Sequence, residues 1–147
     1  MYTIVLIAHS WVRWIALVAG VGTTMATLGD DTSRAERWSL FLVTALDLQL
    51  LLGLFLYFVL SPFTTEALKD MGAAMRDPLT RYWAVEHVTM MLGAVVLVHV
   101  GRVLARKAKT PQAKRMRLLI CCGMATFLML LGMPWPGFAN GRPLFRL

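Results

Sequence analysis

Three histidines, His9, His87 and His99, lie inside apolar runs of this chain, together with Arg13, Asp47, Gln49 and Glu86. These residue types suit two kinds of chemistry. Imidazole is a good axial ligand for haem iron. Carboxylate, guanidinium and imidazole groups in an apolar setting also form ion pairs or proton relays. The densest stretch is RYWAVEHVTMMLGAVVLVHVGR, residues 81–102, with Glu86, His87 and His99 inside it and an Arg at each end. Lipid does not tolerate such residues without partners, so their partners are expected on other helices.

The elements that must position these groups follow from composition. Of 147 residues, 58% are hydrophobic and only 16% charged, and the mean hydropathy is +0.63. That excludes an ordinary soluble domain. Four apolar stretches stand out, at about 3–27, 38–60, 82–104 and 117–136. Each is long enough to cross a hydrocarbon core of about 30 Å at about 1.5 Å per residue. The expectation is an all-α protein: an integral membrane four-helix bundle, with residues 1–147 forming one transmembrane domain.

The net charge of +7 does not signal nucleic-acid binding. Lys107, Lys109, Lys114, Arg115 and Arg117 follow Arg102 and Arg106 in one loop without interleaved aromatics, as in a basic cytoplasmic loop. The loops at 28–37 and 102–117 hold nine Lys and Arg residues, against five (Lys69, Arg76, Arg81, Arg142 and Arg146) at 61–81 and in the tail. The positive-inside rule puts the first set in the cytoplasm and both termini outside, which in a bacterial inner membrane is the periplasm. The two cysteines, Cys121 and Cys122, are neighbours in the fourth stretch and read as small packing residues. No CxxCH is present for covalent haem attachment. The first stretch has no basic lead, is long and contains Arg13, so it reads as a retained helix rather than a signal peptide.

Along the chain, His9, Arg13, Ala16 and Gly20 share one face of the first helix, polar at its start and small further on. Asp30, Asp31, Thr32 or Ser33 is placed to cap the second helix. Ser61-Pro62 ends that helix, and TTEALKDMGAAM in the following loop reads as a short surface helix. Pro134-Trp135-Pro136 is expected to stop the fourth helix. Trp11 and Trp14 are either interfacial anchors or packing residues.

Depth sorts the polar residues. His9 is about seven residues from the outer end of the first helix, and His87 about five from the outer end of the third. Two imidazoles at one depth on different helices could clamp one haem iron from both sides, which favours electron transfer over oxygen binding. His99 is about 18 Å along the helix from His87 and cannot share that iron. It is expected either to hydrogen-bond a neighbouring helix or to hold a second haem with an unusual partner such as Met124. Arg13 and Asp47 are also depth-matched, which predicts an ion pair between the first two helices. Glu86 reads first as an interfacial carboxylate, and otherwise as one that pairs with Arg81 or serves a quinone.

A set of motifs carries a resemblance across almost the whole chain. These are His9-Ser10 with Arg13-Trp14, then Asp47-Leu48-Gln49-Leu50-Leu51 with Gly53 and Tyr57. Glu86-His87 with Met90, His99 with Gly101-Arg102, and Pro134-Trp135-Pro136 with Arg142-Pro143-Leu144-Phe145-Arg146 complete it. The chain resembles a family of small bacterial membrane proteins labelled cytochrome b-like. The resemblance implies a b-type haem or a place in a respiratory membrane complex, with His9, His87 and His99 as haem positions. Three histidines depart from the four of di-haem b-type bundles, which counts against a second haem.

Together these readings predict a membrane electron-transfer protein with one haem b held between His9 and His87, the two metal ligands. Arg13, Arg81 and Arg142 complete the expected cofactor-binding set, with Arg81, Arg142 or Arg146 beside the haem acid groups. A quinone or a redox protein would exchange electrons there. The rival reading is a non-catalytic accessory subunit of a larger respiratory or photosynthetic complex; on either reading the partner is a larger membrane complex or a second copy of the chain. An electron-transfer protein or complex subunit is expected ahead of a stand-alone enzyme, and no nucleic-acid partner is expected.

Overall fold

The computed structural model describes residues 1–145, so Arg146, expected beside the haem acid groups, lies outside the described residues. Among these the structure is all-helical. Helix α1 is Tyr2–Leu28. Helix α2 is Thr32–Leu60, with a π-helical last turn at Leu56–Leu60. Two short helices follow, α3 at Pro62–Lys69 and α4 at Met71–Arg76. Helix α5 is Pro78–Arg106 and contains a π-helical turn at Tyr82–Glu86. Helix α6 is Pro111–Leu131.

Three helices, α1, α2 and α5, are long and apolar enough to cross a membrane. Helix α6 starts earlier and ends sooner than the apolar run 117–136 suggests. Thr110 caps it, its side chain accepting from Ala113 N, and Pro111 occupies the first turn, where its missing N–H costs nothing. Its basic first turns are held by partners: Lys114 bonds Glu36 at 2.8 Å and Arg115 bonds Asp30 at 3.2 Å. The apolar part, residues 118–131, is only about 21 Å long at about 1.5 Å per residue. Helix α2 likewise begins inside the expected loop, because Asp31 caps it by accepting from Arg34 N at 3.0 Å. The expected surface helix is present as α3 and α4.

The long helices pack in sequence, α1 on α2, α2 on α5, α5 on α6, and α6 back on α1. Small residues make these contacts. Ala16, Ala19, Gly20 and Thr23 are the buried face of α1, and Ala94, Val98, Gly101 and Ala105 that of α5. A Cβ at Gly20 would come within 2.5 Å of Thr126 Oγ1, and one at Gly101 within 2.5 Å of Cys121 Cβ. Such approach is how helices associate where water provides no driving force. The outward faces carry exposed Ile4, Val18, Met25, Leu51, Val96 and Phe127, surfaces that lipid solvates.

At the basic end Arg102 reaches across from α5 to Ser39 Oγ at 2.6 Å and to the Glu36 carbonyl at 3.3 Å. The α1–α2 turn and the α5–α6 turn therefore share one end, and the cavity described next lies toward the other.

Candidate functional site

One cavity gathers His9, His87, Arg13, Gln49, Tyr57 and Arg142. Its walls come from the first half of α1, the second half of α2, the start of α5 and residues 129–142. Apolar side chains such as Leu46, Leu50, Val88 and Met91 make up most of the remaining lining. His9 and His87, the depth-matched pair, both line it.

Both π-helical turns border it. A π turn adds a residue to the helix and re-aims the side chains around it. Tyr57 lies in the first turn and Trp83 in the second, and both line the cavity. Tyr57 Oη donates to the Ala84 carbonyl at 2.7 Å, so the two turns are tied to each other.

His87 is oriented from behind. Its Nδ1–H donates to the Gly132 carbonyl at 2.7 Å, at the end of α6. That bond fixes the tautomer and leaves Nε2 without a protein partner among the described residues, on a ring that lines the cavity. A hydrogen bond from the far nitrogen is the usual support of a metal-ligating imidazole.

His9 is held differently. Gln49 Nε2–H donates to His9 Nε2 at 3.1 Å, which puts the imidazole proton on Nδ1. His9 Nδ1 and Gln49 Oε1 are then buried without partners among the described residues. The ring packs on Gly53, where an added Cβ would come within 3.2 Å of His9 Cε1. His9 therefore does not present a free Nε2, and the expected two-sided clamp is half formed. The physical reason is the amide of Gln49, a side chain that helix depth alone does not connect to His9.

Arginines flank the cavity. Arg142 lies over Trp83 at 5.2 Å and over Phe63 at 5.3 Å. Arg13 Nη2 donates to Leu144 O at 2.7 Å and to Ser10 Oγ at 3.3 Å. Trp14 Nε1 donates to the same Leu144 carbonyl at 2.9 Å, and its ring stacks on Phe145 at 5.5 Å. Trp14 is thus a packing residue for the tail, which crosses this end of the fold.

Two expected site residues are elsewhere. Arg81 Nε bonds Glu86 Oε1 at 2.7 Å, one of the alternatives open for Glu86, and is not part of the cavity lining. His99 Nε2 bonds Asp47 Oδ1 at 2.9 Å across α2 and α5. The expected Arg13–Asp47 ion pair is replaced by this one, because Asp47 is directed to α5 and Arg13 to the tail. A second haem at His99 is not supported: its Nε2 is taken by Asp47, and Met124 is 54% exposed on the outer surface of α6.

Among the described residues no three His, Cys, Asp or Glu side chains converge as a metal chelate. A haem, the expected cofactor, would bring most of its own metal ligands. His87 fits as an axial ligand, and Arg13 and Arg142 fit as partners for acid groups; His9 fits only after releasing Gln49. Sequence reasoning missed Gly132, whose contribution is a backbone carbonyl, and gave no role to Trp83.

Comparison with protein families, curated proteins and solved structures finds no match to this chain. The resemblance to cytochrome b-like membrane proteins therefore rests on the motifs alone.

Proposed function

We propose that this chain is a membrane-embedded b-type cytochrome-like electron-transfer protein, working in the respiratory chain of a bacterial inner membrane. The observation that carries the reading is the His87 imidazole, with Nδ1–H held by Gly132 O and Nε2 left on a cavity that two arginines share. In this reading α6 crosses the membrane with the other three long helices, the strongly basic end is cytoplasmic, and the cavity opens toward the periplasmic side.

Bound haem b would supply one-electron transfer. His87 would hold the iron through Nε2, with its other nitrogen fixed by Gly132 O. Arg13 and Arg142 would neutralise its acid groups, with Arg142 kept in place by the rings of Trp83 and Phe63. The apolar lining excludes water. His9 is the candidate second ligand and would have to give up its bond to Gln49 to serve as one. A quinol or a redox protein is the electron partner.

A second reading, an accessory subunit of a larger membrane complex, is favoured by one observation, the outward exposure of the Asp47–His99 pair. Reduced-minus-oxidised absorption spectra of the purified chain separate the two. The electron-transfer reading expects b-type bands at about one haem per chain, abolished in His87→Ala. A folded chain that stays colourless after haem supplementation would leave the accessory reading.

A further inference from the structure

The cavity does not use the most conspicuous polar feature of the membrane-crossing helices. Asp47 and Gln49 are two positions apart on α2 and so face about 200° apart. Gln49 faces α1 and the cavity, whereas Asp47 meets His99 at the seam of α2 and α5. The pair bond is 2.9 Å, and the two side chains are 46% and 51% exposed. Exposed apolar residues surround them: Leu48 and Leu51 on α2, and Val96, Val100 and Val103 on α5.

Both residues belong to helices long and apolar enough to cross a membrane. Hydrocarbon offers no hydrogen bonds, and ionisable side chains in membrane helices face protein or water rather than lipid. The one bond occupies Asp47 Oδ1 and His99 Nε2. Asp47 Oδ2 and His99 Nδ1 have no protein partner among the described residues. An acceptor and a ring nitrogen are thus turned outward at one depth, in a face that is otherwise apolar.

We infer that this face is a homodimer interface, in which Asp47 and His99 of one copy meet His99 and Asp47 of a second across a two-fold axis along the membrane normal. The argument is charge complementarity. A two-fold interface must be self-complementary, because each patch meets its own copy. Turning the α2–α5 face by 180° about the normal puts α2 opposite the partner's α5. Asp47 Oδ2 then accepts from His99 Nδ1–H of the partner subunit, and the reverse bond forms beside it. Four alternating groups close into a ring with no polar atom left to lipid. Val96, Val100 and Val103, at i, i+4 and i+7, form a ridge that packs beside this ring. The axis keeps both copies inserted in the same direction. The inference is independent of any cofactor, since the cavity is on the other face of α2.

The test uses the full chain with two different affinity tags, purified in mild detergent and sized by light scattering with detergent correction. The expected wild-type particle holds two chains, and the tags co-purify. Asp47→Ala alone and His99→Ala alone are each expected to weaken self-association by about tenfold, the scale of losing interhelical hydrogen bonds in a membrane. Co-expressed with each other, these two variants recover association, because the mixed dimer retains one Asp47–His99 contact between chains. Val100→Trp perturbs the face without touching the interior and is expected to give single chains. A wild-type particle with one chain, confirmed by absent energy transfer between labelled chains in lipid vesicles, overturns the inference. So does mixed association no stronger than that of either variant alone, or a different membrane subunit bound one-to-one on this face.

Discussion

Tyr82 Oη and His87 Nδ1 donate to the same acceptor, the Gly132 carbonyl, at 2.8 Å and 2.7 Å. A carbonyl oxygen has two lone pairs, so both bonds are satisfied. The last carbonyls of a helix have no partner within it, and here one such group at the end of α6 orients two side chains of α5. Tyr82 is buried, so Tyr82→Phe is expected to lower stability by about 1 kcal/mol, the usual cost of losing one hydrogen bond. Thermal unfolding in detergent would show this as a lower midpoint, with haem content unchanged because His87 retains its own bond.

Gln49 decides what His9 can do. Gln49→Leu removes the amide donor and frees His9 Nε2 beside the cavity. Haem-loaded Gln49→Leu protein is expected to have a larger low-spin fraction than wild type, as a second imidazole reaches the iron. An absorption spectrum unchanged in spin state would place His9 outside the ligand set.

Helix approach at Gly101 allows a graded test. A Cβ there would collide with Cys121 Cβ, an atom fixed to the α6 backbone. Gly20 meets Thr126 Oγ1 instead, which can rotate once it gives up its bond to the Cys122 carbonyl. Gly101→Ala is therefore expected to cost more than Gly20→Ala, within about 1–3 kcal/mol for overpacking. Equal thermal midpoints for the two variants would contradict the close α5–α6 approach.

Two exposed caps set an acid limit on helix starts. The Ser33 hydroxyl, then the Arg34 amide, hold the Asp31 carboxyl below its ordinary value. The Thr80 hydroxyl and amide do the same for Asp77, which caps α5. A lowered folded-state pKa means the contribution is complete above the ordinary value of 3.8 and is lost as pH falls through the lower folded value. Amide exchange at Arg34 and Thr80 is expected to be protected at neutral pH and to lose that protection, after correction for intrinsic rates, only below about pH 4. Asp31→Ala should remove it at Arg34 at every pH, whereas Asp31→Asn should retain most of it.

The apolar runs were legible because composition leaves no alternative, and depth along them brought His9 and His87 to one cavity. Depth could not give direction around a helix. Arg13 and Asp47 lie equally far from the α1–α2 turn, yet Gln49, two residues beyond Asp47, is the residue that meets α1. Helix starts were misplaced where charge was read as loop. The Asp31 and Thr110 capping signals were present in the sequence, but the basic first turns of α6 are affordable only because Glu36 and Asp30 meet them. The Gly132 carbonyl and the two π turns have no side-chain signature, so no reading of residue types could have found them.

The Leu144 carbonyl, which receives Arg13 and Trp14, makes the order of synthesis matter. The cavity uses Tyr2 from the first turn of the chain and Arg142 from near its other end. A nascent chain that has inserted α1, α2 and α5 has both imidazoles but neither the carbonyl that orients His87 nor the arginine that closes the wall. On the proposed reading, haem loading would therefore wait until residues 132–142 have been made, and a chain truncated before Gly132 is expected to lack a competent pocket.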